Sequence, residues 1–432
     1  MPEVGPRVVF LTAGAGGMIC GSCLHDNALA GALKEMGVDV VLVPAYTPIR
    51  TDELDHSTQH VVYGGINIFL RQFAVGRWIP DAWTRWLDGP DVLRRLTWNR
   101  IETDARRLGP LTLSMLAGSE GVQHQEVEKL CQFLERDLRP DLLIFSNLLI
   151  TGAVPRLKRQ FQLPMLVVLQ GDDLFVDSLP RTYRDRVMKR LRELASLMDG
   201  FLVHSQYYAE KMSRELAVPL DKFHEIPLGI SPFPPRDEGG EARNQFPSIG
   251  YLARWAPEKG LDLLCQAFAR LKATPTLRQA QLHIAGWSGP AHRKYVEEAM
   301  RVLRDAGCEA DVHAWGEVDR ADKARFLRSI DVLAVPTRYP DPKGLYVLEA
   351  LSMGVPVVQP DHGAFPEFIR RTRGGLLHVP GDVADLVTQL TRVLTEDSLR
   401  HELGRSGREA VLRDHSISAT AKATWIICQN LL

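Results

Sequence analysis

Two carboxylates and two cations in the second half of this chain are spaced for chemistry on a phosphorylated sugar. Asp341 and Glu349 stand eight positions apart in VPTRYPDPKGLYVLEALSMGVPVVQPDHGAFPEF, the run Val335–Phe368, with Gly344 between them. The apolar run Val332 to Val335 reads as a short strand, and Gly344 reads as the opening of a helix. Such an opening presents unpaired N–H groups and a positive dipole end, so Gly344 and Leu345 are placed to hold a phosphate. Glu349 then lies more than one turn further on, where its carboxylate accepts hydrogen bonds from a ribose or sugar hydroxyl. Val355 to Val358 reads as the next strand, and His362, Gly363 and Ala364 follow in a turn that offers further N–H groups. Glu367, three residues on, either adds a donor-side contact or caps the next helix.

Upstream, GYLARWAPEKG carries Arg254 and Lys259 five positions apart, just after a strand-like Ser248 to Ala253. A helical pattern through Leu263, Leu264, Phe268 and Leu271 follows. Both cations are expected to converge above the strand end, where they would neutralise a diphosphate leaving group. Taken singly, two acids or an Arg and a Lys at these spacings are ordinary solvated groups. Their combination on successive strand ends describes a nucleotide-sugar site.

Elements that would position these groups alternate along the chain. Arg7 to Thr12, Val38 to Pro44, Asp141 to Phe145, Met165 to Leu169, Phe201 to His204 and His224 to Ile226 are short runs rich in Val, Ile and Leu. That is the composition of parallel strands covered on both faces. Ser231 to Ser248, with four prolines and two adjacent glycines, interrupts the alternation and reads as a linker. It then restarts at Ile249 to Leu252 and continues through Gln281 to Ala285, Val312 to Trp315, Val332 to Val335, Val355 to Val358 and Leu376 to Val379. The expected fold is α/β with two Rossmann-like doubly wound domains: 1–230, joined by a returning helix within 416–432, then the linker 231–248, then 249–415.

Length and composition agree. The 432 residues are too many for one core, and 45% hydrophobic and 24% charged residues with a net charge of −1 describe a globular chain without the basic excess of a nucleic-acid binder. The chain enters its first strand at once, and no apolar run is long enough to span a bilayer, so the expected location is the cytoplasm. Cys20 and Cys23 form one C-x-x-C with no second pair to complete a zinc site, and small apolar packing is preferred to a redox role. After the first strand, the loop with Gly16 and Gly17 lets the backbone approach a ligand, yet it lacks G-x-G-x-x-G spacing. Asp172 and Asp173 read as loop capping, and no metal is expected.

The carboxylate, seven residues, carboxylate pattern from Asp341 to Glu349, with Arg254 and Lys259 upstream, resembles the signature of the retaining glycosyltransferases of family 4 (glycosyl transferases group 1). The resemblance implies GT-B architecture, two facing Rossmann-like domains with the site in the cleft, and a nucleoside diphosphate sugar as donor. It implies that Asp341 lies near the transferred sugar, Glu349 holds the ribose, Arg254 and Lys259 serve the pyrophosphate, and Gly16 and Gly17 close over the donor phosphates. That first acid is normally Glu, so Asp341 reaches about 1.5 Å less. Gln170 stands where the family commonly has His, and it hydrogen-bonds a hydroxyl without acting as a base. In the resembled mechanism the departing phosphate oxygen takes the acceptor proton on the same face, so no protein base and no cofactor are needed. His204 is a further acceptor-side candidate, against a purely structural reading.

The acceptor is a hydroxyl of a glycan, a lipid-linked sugar or a small molecule. Between Arg71 and Arg107, Trp78, Trp83, Trp86 and Trp98 interleaved with Arg77, Arg85, Arg94, Arg95 and Arg100 fit an acceptor platform, a peripheral contact with the inner face of the membrane, or a plain helical insertion. The alternatives of the same fold are a nucleotide-sugar epimerase or hydrolase, and of another class a non-catalytic sugar-nucleotide-binding protein.

Overall fold

The computed structural model describes residues 5–14, 21–49, 51, 53–58, 61, 105–233 and 245–432. Gly16, Gly17 and Cys20 lie outside them, as does most of the Trp- and Arg-rich stretch. The chain divides into two compact units, Met1–Pro227 with Ile417–Leu432, and Leu228–Ser416.

The first unit holds six parallel strands, β1 Arg7–Thr12, β2 Asp39–Pro44, β3 Leu142–Phe145, β4 Met165–Val168, β5 Gly200–Val203 and β6 Phe223–Glu225. Their order across the sheet is β2-β1-β3-β4-β5-β6. Each residue of β3, β4 and β5 is buried, as a strand covered by helices on both faces must be. The helix Ile417–Gln429 packs on the helix Gly21–Glu35, where Ala421 and Cys428 enter one core with Leu29 and Leu33. Cys23 lies in that same core as a small apolar side chain.

The second unit repeats the plan with β7 Ser248–Leu252, β8 Gln281–Ala285, β9 Val312–Gly316, β10 Val332–Ala334, β11 Val357–Pro360 and β12 Gly375–His378. Their order is β12-β11-β10-β7-β8-β9, again all parallel. From β7 the chain winds outward through β8 and β9, then returns to β10 on the other side and winds the opposite way. The strand order therefore reverses between β7 and β10, and ligands of such sheets bind outside the carboxyl ends of the strands at a reversal of this kind. In the first unit the same reversal falls between β1 and β3. Several strands start or stop a residue or two from the apolar runs in the sequence, as at β11, which begins at Val357 and runs on to Pro360. Among the described residues no helix is long and apolar enough to cross a membrane.

Candidate active site

Lys259 follows β7 and Asp341 follows β10, so the reversal point of the second sheet brings them together. Lys259 Nζ lies 2.7 Å from Asp341 Oδ2 and 2.9 Å from the Tyr339 hydroxyl. Asp341 is only 3% exposed, and its Oδ1 also accepts from the Lys343 N–H at 3.1 Å. Burial pushes this carboxyl up, yet Lys259 beside it and the donated hydrogen bonds outweigh burial and hold it below the usual aspartate range. Tyr339 goes the other way, since burial and the neighbouring Asp341 charge keep its phenol protonated far above the ordinary range. The ammonium also lies over the Tyr339 and Tyr346 rings, 4.8 and 5.6 Å from their centroids.

Two sets of contacts fix these loops to each other. Arg338 grips both oxygens of Asp262 at 2.5 and 2.6 Å, and its own N–H donates to Glu258 O at 2.8 Å. The loop after β10 is thereby tied to the turn that carries Lys259. On its other flank, Ala364 N–H donates to Asp341 O at 2.9 Å, and His362 Nε2 lies 3.1 Å from Thr337 O. A carbonyl only accepts, so Nε2 carries the proton there. Gly363 has φ +62°, and a Cβ on it would stand 2.6 Å from Asp341 O, so that contact needs glycine.

Gly344, at φ +63°, is the N-cap of the helix Leu345–Ser352, and a Cβ there would press on the Phe365 ring at 2.7 Å. The helix thus opens close to Asp341, with its first N–H groups unspent by a capping side chain. Glu349 sits further along, where its Oε1 accepts from Lys323 Nζ at 2.7 Å. Glu367 lies in the first turn of the helix Phe365–Thr372, with Arg371 at 3.8 Å.

Arg254 is not drawn to Asp341. Its guanidinium bonds Glu258 at 2.9 Å on a half-exposed surface, while the Tyr251 hydroxyl donates to Arg254 O at 3.0 Å and shapes the loop. In the first unit, Gln170 follows β4 and is buried, donating to Asp26 Oδ1 at 2.8 Å and to Ser146 O at 3.1 Å. Asp26, fully buried on the helix Gly21–Glu35, also accepts from Thr12 Oγ1 at 2.8 Å. His204 follows β5 and packs edge-on against His25, with Nδ1 3.4 Å from Ile226 O. Asp172 and Asp173 open the helix Asp172–Ser178, where Asp172 accepts from the Leu148 N–H and Asp173 from the Tyr208 hydroxyl and Lys211.

Sequence reasoning missed Tyr339, Tyr346, Lys323 and Asp26. Tyr339 was open to suspicion as an aromatic two places before the acid. Lys323 and Asp26 carry no such mark, because each meets its partner only after folding.

Residues 237–410 match the family described as glycosyl transferases group 1. Over 413 residues, 93% of this chain and 88% of the relative, the sequence is 28% identical to glycogen synthase of Mycobacterium tuberculosis. It is 26% identical over 244 residues to MMP alpha-(1->4)-mannosyltransferase of Mycolicibacterium hassiacum, covering 56% of each chain. Against the phosphatidyl-myo-inositol mannosyltransferase of Mycobacterium leprae it is 32% identical over 40% of this chain and 46% of that one. The chain thus spans about half the length of these last two. Among solved structures, sucrose-phosphate synthase from Thermosynechococcus elongatus superposes with a TM-score of 0.72 at 18% identity, covering 99% of both chains. Anabaena HepE in complex with UDP does so at 0.69 and 15% identity, covering 98% of this chain and 100% of that one. The fold is of the GT-B type, and the comparisons support a glycosyltransferase of group 1.

Proposed function

We propose that this chain is a retaining glycosyltransferase of family 4 that moves a sugar from a nucleoside diphosphate sugar to a hydroxyl of a glycan, lipid-linked or small-molecule acceptor, in the cytoplasm and without metal or cofactor. The observation that carries the reading is the Lys259–Asp341 contact at the reversal point between β7 and β10, beside the opening of the helix Leu345–Ser352. An ammonium has three hydrogens, and Asp341 and Tyr339 engage two of them, so the third remains for a donor phosphate. The N–H groups of Gly344 and Leu345 and the turn at His362 and Gly363 complete the cradle, with Arg254 swinging from Glu258 to the diphosphate. Asp341 orients the transferred sugar, and Glu349 accepts from the ribose. The solved HepE complexes with UDP and UDP-glucose have the same fold, which supports a donor of this class.

Charge developing on the departing diphosphate is met by Lys259 and Arg254, the largest electrostatic demand of the reaction. With Gln170 rather than a base on the first unit, the leaving phosphate oxygen takes the acceptor proton on the same face, which gives retention.

Titration calorimetry with UDP, GDP and ADP tests the donor site. One nucleotide binds the natural protein, and Lys259→Ala and Glu349→Ala each weaken it at least tenfold. If none binds at millimolar concentration, the assignment fails. Retention is checked by the anomeric configuration of the first-formed product in proton NMR.

A further inference from the structure

Glu349 is not presented by its own helix alone. Lys323, on the helix Arg320–Arg328 that precedes β10, reaches across to it and donates to Oε1 at 2.7 Å. Both side chains are mostly shielded, 13% and 16% exposed, so the pair is held by its surroundings rather than flickering on an open surface. No described residue donates to Oε2. A carboxylate is planar and rotates about its last bond, so fixing one oxygen fixes where the other points.

We propose that Lys323 is a positioning residue for ribose recognition: by clamping Oε1 it sets Oε2 as the acceptor for the ribose hydroxyls of the nucleotide donor. The inference rests on the reading of Glu349 as the ribose ligand. It extends the nucleotide site to a helix that the carboxylate pattern does not include. Replacing Lys323 with an uncharged chain of similar length frees the carboxylate to rotate, and discrimination between ribose and its deoxy forms collapses even though the carboxylate is still present. An arginine keeps a donor at that point and restores it.

The test compares UDP, ADP or GDP, whichever binds most tightly, with its 2′,3′-dideoxy counterpart, by calorimetry on the natural protein, Lys323→Met and Lys323→Arg. The ratio of the two dissociation constants is measured on the same folded molecules, so partial unfolding of a variant cancels. In the natural protein the ribonucleotide binds at least tenfold more tightly. That ratio falls below about threefold in Lys323→Met and stays above it in Lys323→Arg. A Lys323→Met variant that keeps the natural ratio overturns the role of Lys323 and leaves the Glu349 assignment standing. A natural protein that binds the nucleotide with no preference for ribose overturns the Glu349 assignment and this proposal with it.

Discussion

Each unit gathers polar side chains where its strand order reverses, but the two gatherings are built differently. In the second unit Lys259, Asp341 and Tyr339 sit on loops beyond β7 and β10, held by ion pairs and by backbone bonds between loops. In the first unit Thr12 and Gln170, at or just past the strand ends, donate to one carboxylate, Asp26, and Gln170 also donates to Ser146 O. The first arrangement pairs a cation with a buried carboxylate on loops. The second buries a carboxyl group that accepts from the Thr12 hydroxyl and the Gln170 amide. One sheet plan thus supports both, and loops rather than strands decide which.

The largest expected effect breaks the charged gathering. Lys259→Ala strands the buried Asp341 carboxylate, so it costs about 3 kcal/mol of stability along with nucleotide binding, read by urea denaturation and calorimetry. Next comes the neutral gathering. Asp26→Ala removes the acceptor that Thr12 and Gln170 share and costs about 2 kcal/mol, while nucleotide affinity stays within twofold and turnover falls about tenfold. If Asp26→Ala instead abolished nucleotide binding, the division of labour drawn here would be wrong.

Acid sharpens the same contrast. Burial, with help from His313, pushes His283 down to about 4, and its Nδ1 accepts from Trp315 Nε1 at 3.2 Å. His378 and His415 of the same unit are also lowered, chiefly by burial. A histidine lowered on folding is neutral in the native state and protonated in the unfolded one once the pH drops below about 6.5. Stability is therefore lost between about pH 6.5 and 4, and His283 alone accounts for about 2 kcal/mol by pH 5. Asp341, lowered on folding, adds its own loss only further down, as the pH falls below about 3.9 through its native value. Amide exchange at pH 5 is expected to show faster opening in Leu228–Ser416, and His283→Gln flattens that slope. The smallest effect belongs to Arg254→Gln. Its exposed pair with Glu258 is worth under about 1 kcal/mol, so the melting temperature barely moves, while nucleotide affinity drops several-fold.

Much of this plan was legible in the residues. Runs such as LLIF and MLVV are too apolar and too short for anything but covered strands, and Gly344 and Gly363 adopt the positive φ that their places in the turns demanded. Asp341 and Lys259 were legible as types, and their direct contact follows from strands that share a reversal point delivering their following loops to one place. Partners fixed by tertiary contact were not. Asp26 and Gln170 are 144 positions apart, and Lys323 reaches Glu349 across 26. Arg254 was expected to converge with Lys259, but Glu258, four residues along the same turn, offers it a near carboxylate.

The way the helix Ile417–Gln429 fills the core beside Leu29 and Leu33 has a consequence for biosynthesis. A ribosome delivers the six strands of the first unit early, yet part of the cover for one face of that sheet arrives only after all of Leu228–Ser416 has been made. The second unit is complete while the first is still waiting, so the usual order in which the amino-terminal domain matures first is inverted. Until those last residues emerge, the part of that core that Ala421 and Cys428 fill stays open, and a nascent chain stalled near residue 410 would be a client for chaperones through the part of it that was made first.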